Sequence, residues 1–218
     1  MVPFLLDLTP GGLTACFLLT LLPRALTPCA QHGHAHLPIF NSKSLNFAYD
    51  ILLAQTTGLT TPEWELQHNR GHHRNYQVPR QDVASVFEPR SGRLMSRAEY
   101  ALKGSLGNWG TCYRVARKER KPQRSKILRR LGMHIAIQLG ITAALLAADP
   151  VSAVVLFMIP NFLARALVWW GSYWHHLGVP RTDVYDSSVT FADPLYNFFS
   201  FNSGHHSAHH EKPTLHWS

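Results

Sequence analysis

Cysteine is scarce in this chain and is not arranged for chemistry. Three are present, Cys16, Cys29 and Cys112, with no CxxC spacing. Neither a zinc ribbon nor a disulfide framework is indicated, and nothing requires an oxidising compartment. Acidic residues are also few, 13 against 21 Lys and Arg, for a formal net charge of +8. Flavin, haem and iron–sulfur motifs are absent, so any electrons the chain uses must come from a partner. No aromatic or base-reading motif accompanies the basic residues, which argues against nucleic acid as a ligand. The N-terminus lacks a long apolar run. Gly11 to Pro23 is apolar, flanked by Asp7 and Arg24, and falls short of the roughly 20 residues needed to cross a bilayer. No basic segment precedes it, so it does not read as a signal peptide. The expectation is an interfacial helix or a marginal span.

What the chain has in excess is histidine, 14 in 218 residues. Most are clustered. His32, His34 and His36 form the first cluster, His68, His72 and His73 the second, His175-His176 a pair, and His205, His206, His209 and His210 the last. On a helix, His206, His209 and His210 sit at i, i+3 and i+4 and share one face. His32 and His36 share a face in the same way, while His34 points elsewhere. His68 and His72 are also i, i+4, with His73 displaced by about 100°. Imidazoles on one face repel one another when protonated and are costly to bury unpaired. A metal ion removes both problems, because neutral imidazole ligates Fe, Zn, Cu and Ni. Taken with His176, these clusters offer nine imidazoles, too many for one metal and suited to two. Carboxylates are absent inside the clusters, unlike the Glu and Glu-x-x-His sites of soluble di-iron bundles.

The hydropathy pattern is that of a membrane protein with one domain over 1–218. Leu131 to Ala148 and Val151 to Gly171 are apolar stretches joined by Asp149-Pro150, and read as a transmembrane hairpin. Trp169, Trp170, Tyr173 and Trp174 read as an interfacial aromatic belt. Between the first two clusters, Asn46 to Leu59 is too polar for a single span and reads as re-entrant or interfacial. Clusters that share metals must lie on one side of the membrane, which excludes an odd number of crossings between them. Gln81 to Arg130 is polar and ends in a basic run, Arg114 to Arg130, interrupted by Pro122. It reads as a solvated loop on the cytoplasmic side, able to attract anionic headgroups or an acidic donor protein. Pro194 to Phe201 is aromatic-rich and reads as packing against the membrane surface or a channel floor. The fold class expected is therefore all-α, an integral membrane helical protein with a histidine-rich cytoplasmic cap.

HxxxH, HxxxHH and HxxHH, in that order around a transmembrane hairpin, resemble the membrane-bound di-iron superfamily of fatty acid desaturases and alkane hydroxylases. Gln67-His68-Asn69-Arg70-Gly71-His72-His73 resembles the alkane hydroxylase form. His206-Ser207-Ala208-His209-His210-Glu211-Lys212-Pro213 and Leu215-His216-Trp217-Ser218 look more like bacterial desaturase-like proteins. The resemblance implies metal ligation by His32, His36, His68, His72, His73, His176, His206, His209 and His210. His176 corresponds to the histidine on the helix before the third box. Four residues earlier, where some members carry Asn, this chain has Ser172. The family commonly has two spans before the first box, so the N-terminal spans here are short or truncated. The resemblance further implies two non-haem irons, O2 as co-substrate and hydrogen abstraction from an unactivated C–H bond of an aliphatic lipid. The electron donor is external: a ferredoxin, a rubredoxin or a cytochrome b5-like protein. Fatty acyl desaturation is the leading expectation. Alkane or fatty acyl hydroxylation and carotenoid ketolation or hydroxylation remain open, as does a non-enzymatic His-rich membrane metal carrier.

Overall fold

The computed structural model describes residues 4, 8–78, 80–179 and 186–215. His216 to Ser218, the end of the tail resemblance, lie outside them. The described residues form helices and connecting turns, and the one β contact among them is an isolated bridge between Phe87 and Leu94.

The first helix, α1, spans Pro10–His36. Thr9 caps it by accepting from Gly12 N at 3.2 Å, and Pro10 occupies the first turn, where a missing N–H costs nothing. The sequence window had ended at Pro23, but the helix continues through Pro23 and Pro28. At 27 residues it is long and apolar enough to cross a membrane. Of the two expectations, an interfacial helix or a marginal span, this length and composition favour the span. Arg24 explains how the helix continues. Its guanidinium donates to Leu156 O at 3.1 Å and Gln55 O at 3.3 Å, and to the Asn161 side chain. Pro160 has no N–H, so it cannot serve Leu156 O, four residues earlier, within the helix. Arg24 serves that carbonyl instead, so its charge is spent on internal acceptors rather than set against lipid.

Helix α2 spans Lys43–Thr57, about 22 Å at 1.5 Å per residue, too short to span. Gly58 ends it at φ +67°, where a Cβ would lie 2.9 Å from Asn161 O. Helix α3 spans Thr61–Trp64 and runs directly into a π-helical stretch, Glu65–His72. Its start is a capping box. Thr60 N donates to Glu63 Oε2 at 2.8 Å, and Glu63 N to Thr60 Oγ1 at 3.4 Å. The other oxygen of Glu63 accepts from Asn108 at 3.0 Å and Arg165 at 2.9 Å. One buried carboxylate thus ties three helices together.

The polar stretch expected as a loop contains a 21-residue helix, α4, Arg97–Arg117. Its mean composition is polar, but Tyr100, Ala101, Ser105, Asn108, Cys112, Val115 and Ala116 are buried on one stripe, which a helical period alone produces. The stripe lies along the last long helix. Gly104 lets the backbone meet the Trp169 ring, which any Cβ would overlap. The charged face stays outside.

Helix α5, Lys121–Ala148, and helix α6, Pro150–His176, form the hairpin. Both are candidate spans, longer at their basic and histidine ends than hydropathy suggested. Asp149 caps α6 by accepting from Val151 N at 3.0 Å and Ser152 N at 3.1 Å. The expected aromatic belt is split. Trp169 and Tyr173 are buried in a core cluster with Tyr100, Val86 and Met95. Trp170 and Trp174 are exposed beneath the Arg97 guanidinium, 5.4 and 4.8 Å from its carbon. Helical spacing turns the two pairs to different sides. Two short helices follow, α7 Pro194–Phe199 and α8 His206–Glu211.

The C-terminal end of α1, the N-terminal end of α5 and the C-terminal end of α6 meet at one end of the three candidate spans. No span separates the first two histidine clusters, and two separate the second from His176. All the clusters therefore share a side.

Candidate metal centre

Four elements each bring histidines to this end. His36 sits on the last turn of α1 and His32 one turn before it, near a helix C-terminus that carries partial negative charge and favours a cation. His176 ends α6. His206, His209 and His210 occupy α8. Gly204, just before α8, packs so closely on Phe191 O and the Asn197 side chain that a Cβ would collide with both. That contact sets where α8 begins.

The second cluster departs from the α-helical expectation. In the π-helical stretch the backbone N–H of His73 bonds to His68 O at 2.9 Å, five residues back. A wider turn brings i and i+5 onto one side. The rings divide accordingly: His68 and His73 Nε2 lie 2.9 Å apart, and His72 joins a different set of histidines.

Nine histidines converge in two groups: His32, His36, His68, His73 and His209, and His72, His176, His206 and His210. Within each group the facing nitrogens all lie within 4.8 Å of one another. Several contacts are far closer. His68 Nε2 lies 2.7 Å from His32 Nε2 and 2.9 Å from His73 Nε2, and His209 Nε2 lies 3.0 Å from His32 and 3.1 Å from His73. In the second group His72 and His210 Nε2 are 3.2 Å apart, as are His206 and His176. Two ligands at about 2.1 Å from one metal are separated by about 3.0–3.4 Å. The donor sets therefore fit a metal ion in each group.

Electrostatics agree. Burial, then neighbouring histidines, holds His68 and His206 well below the ordinary imidazole range, and brings His209 down to about 3. His73 and His210 are lowered by the same causes. All five are neutral near pH 7, with lone pairs free to ligate.

Hydrogen bonds fix ring orientation in the second group. His176 Nδ1 donates to Ser187 O at 2.7 Å, which leaves Nε2 without a proton. His210 Nδ1 lies 3.0 Å from Ser187 Oγ. His72 Nδ1 lies 2.7 Å from Asp82 Oδ2. Asp82 was not legible in the sequence: it stands ten residues after His72, outside every box, and a fold-back of the chain brings it there.

The remaining described histidines lie outside both groups. His34 Nε2 is 3.1 Å from Asp50, and its Nδ1 accepts from Ile39 N. His175 donates to Val189 O at 3.1 Å. His134 is buried against the Phe47 ring. His205 is exposed. Ser172 lies 3.1 Å from the Tyr100 hydroxyl.

A cavity of about 960 Å³ reaches both groups, bordered by His32, His68 and His206. Its walls come from α1, α6 and α7, and are mostly apolar. Trp64 lines it and stacks on His32, with ring centroids 5.2 Å apart. Leu195, Tyr196 and Phe199 of α7 close one side, the position expected of a channel floor.

Two groups of converging imidazoles beside an apolar cavity, at one end of membrane-length helices, suit metal-dependent chemistry on a lipid. No curated protein and no solved structure matches the chain. The family model described as fatty acid desaturase matches residues 8–218, a range that takes in all nine convergent histidines, the hairpin and the cavity, and the chain belongs to the fatty acid desaturase family.

Proposed function

We propose that the chain is an O2-dependent fatty acyl desaturase that holds two irons, one in each histidine group. The observation that carries this reading is the convergence of the nine Nε2-bearing rings on the end of an apolar cavity. When bound, such a di-iron centre activates O2 for removal of hydrogen from an unactivated C–H bond. The chain's own residues do the rest. The imidazoles keep their protons on the far nitrogen, as at His176, and present lone pairs inward. Leu26, Leu167 and Val168 line a path for an extended acyl chain and exclude water from it. Trp64 holds the His32 ring in place by stacking.

Electrons come from an external donor, a ferredoxin, rubredoxin or cytochrome b5-like protein. The exposed Arg114, Arg117, Lys118, Arg120 and Lys121 lie at the histidine end of the spans and suit an acidic surface. The same charges support placing this end on the cytoplasmic side. Purified protein loaded anaerobically with Fe(II) and supplied with donor and O2 should convert a saturated acyl chain to an alkene, read by mass spectrometry. Alcohol alone would replace desaturation with hydroxylation. Zinc alone after iron loading would overturn oxygenase chemistry.

A further inference from the structure

We infer that the two metal positions are unequal in strength, and that Asp82 is the positioning residue that makes the His72–His176–His206–His210 position the tight one. The inference rests on the two-metal reading above.

The groups differ in burial. All four rings of the second group are buried, whereas four of the five in the first are partly exposed. They differ also in what holds the rings from behind. In the second group His72, His176 and His210 each have an Nδ1 partner, at 2.7, 2.7 and 3.0 Å. The remaining ring, His206, packs 4.3 Å from His175, which is itself bonded to Val189 O. In the first group His73, whose Nε2 faces its neighbours, has a buried Nδ1 without a partner among the described residues. A ring with a fixed rear nitrogen gives up less freedom when it ligates, and donation to a carboxylate raises its basicity.

Asp82 is built for this task at a cost to the fold. Its side chain is fully buried, and among the described residues no Lys or Arg pairs with it. Its other partners are neutral: Gln77 N at 2.6 Å, the Gln77 amide at 3.4 Å and Ala84 N at 2.8 Å. The chain reaches this position by placing Tyr76 and Gln77 at φ +29° and +62°, a conformation non-glycine residues rarely adopt. A buried carboxylate without a cation is unfavourable. A metal on the opposite nitrogen of His72 supplies positive charge through the ring. No carboxylate pairs with any ring of the first group among the described residues.

The test uses full-length protein in detergent, loaded anaerobically with Fe(II). A graded chelator series then reads iron retained per chain, with Mössbauer spectra of the 57Fe-loaded protein at each step. Wild type should release its two irons in separate steps. Asp82→Asn should weaken the later step by roughly 10–100-fold and leave the earlier one in place. Ser187→Ala, which removes the contact to His210 Nδ1, should move the same step in the same direction, and tests the inequality of the two positions if Asp82→Asn fails to fold. His73→Ala should abolish only the early step. Simultaneous release of both irons from wild type, or an unmoved late step in folded Asp82→Asn, would overturn the inference while leaving the two-metal reading intact. Fewer than two irons in loaded wild type would overturn that reading and the inference with it.

Discussion

His73 donates its backbone N–H to the carbonyl of His68, and the Nε2 atoms of the same two residues lie 2.9 Å apart. One π-helical turn thus joins two ligand candidates by their backbone and by their rings. Its consequence is that adjacent residues, His72 and His73, belong to different groups. Gly71 permits it, because a Cβ there would press on the Val83 side chain and the Leu66 carbonyl. Gly71→Ala should therefore cost about 1–3 kcal/mol and lower iron content at both positions. Differential scanning fluorimetry with metal analysis checks this. Normal iron content with normal stability would show that the turn does not depend on glycine.

His176 and His175 offer a paired comparison. Their rings point to different surroundings, His176 into the second group and His175 toward Val189 O. His176→Ala should lower iron per chain and abolish turnover. His175→Ala should retain most of its iron, because it touches the centre only through packing on His206. Full activity in His176→Ala would refute its role as a ligand.

Arg24 joins α1 to α2 and α6 through carbonyl acceptors. Arg24→Met should leave these acceptors unserved in an apolar setting, at a cost of about 2–4 kcal/mol. Arg24→Lys should recover only part of this, since an ammonium cannot reproduce the fork of the guanidinium. A melting temperature unchanged in Arg24→Met would show that the contacts carry no weight.

Acidification should destabilise the metal-free protein. His68, His206 and His209 have folded pKa values below the unfolded value, His209 at about 3, chiefly through burial. Below about pH 6.5 the unfolded chain binds protons that the folded chain refuses, so stability falls as pH falls, by up to about 1.4 kcal/mol per pH unit for each group. Above that range these groups contribute no pH dependence. Urea midpoints of metal-free protein at pH 7.5, 6.5 and 5.5 measure it. A flat profile from 6.5 to 5.5 would contradict the burial of these rings.

Topology follows from three candidate spans. A cysteine at Arg124 should be protected from an impermeant reagent added outside intact cells. Cysteines at Asp149 and Thr9 should both be labelled. Labelling at Arg124 would place the histidine end outside.

The clustered histidines, their order along the chain and the hairpin were legible in the sequence because they are local properties. Spacing of i, i+3 and i+4 and long apolar stretches survive in any context that allows a helix. Even the exclusion of His34 follows from its place between His32 and His36. Three features depended on the tertiary structure. Which histidine joins which group rests on a π-helical turn whose glycine is pressed by Val83 from outside the helix. The length of α1 rests on acceptors that Gln55 and Leu156 present from other helices, the latter 132 residues away. Asp82 reaches His72 only because the chain folds back between them. Sequence periodicity reports what one helix does alone, whereas each of these is a contact whose partner another segment supplies.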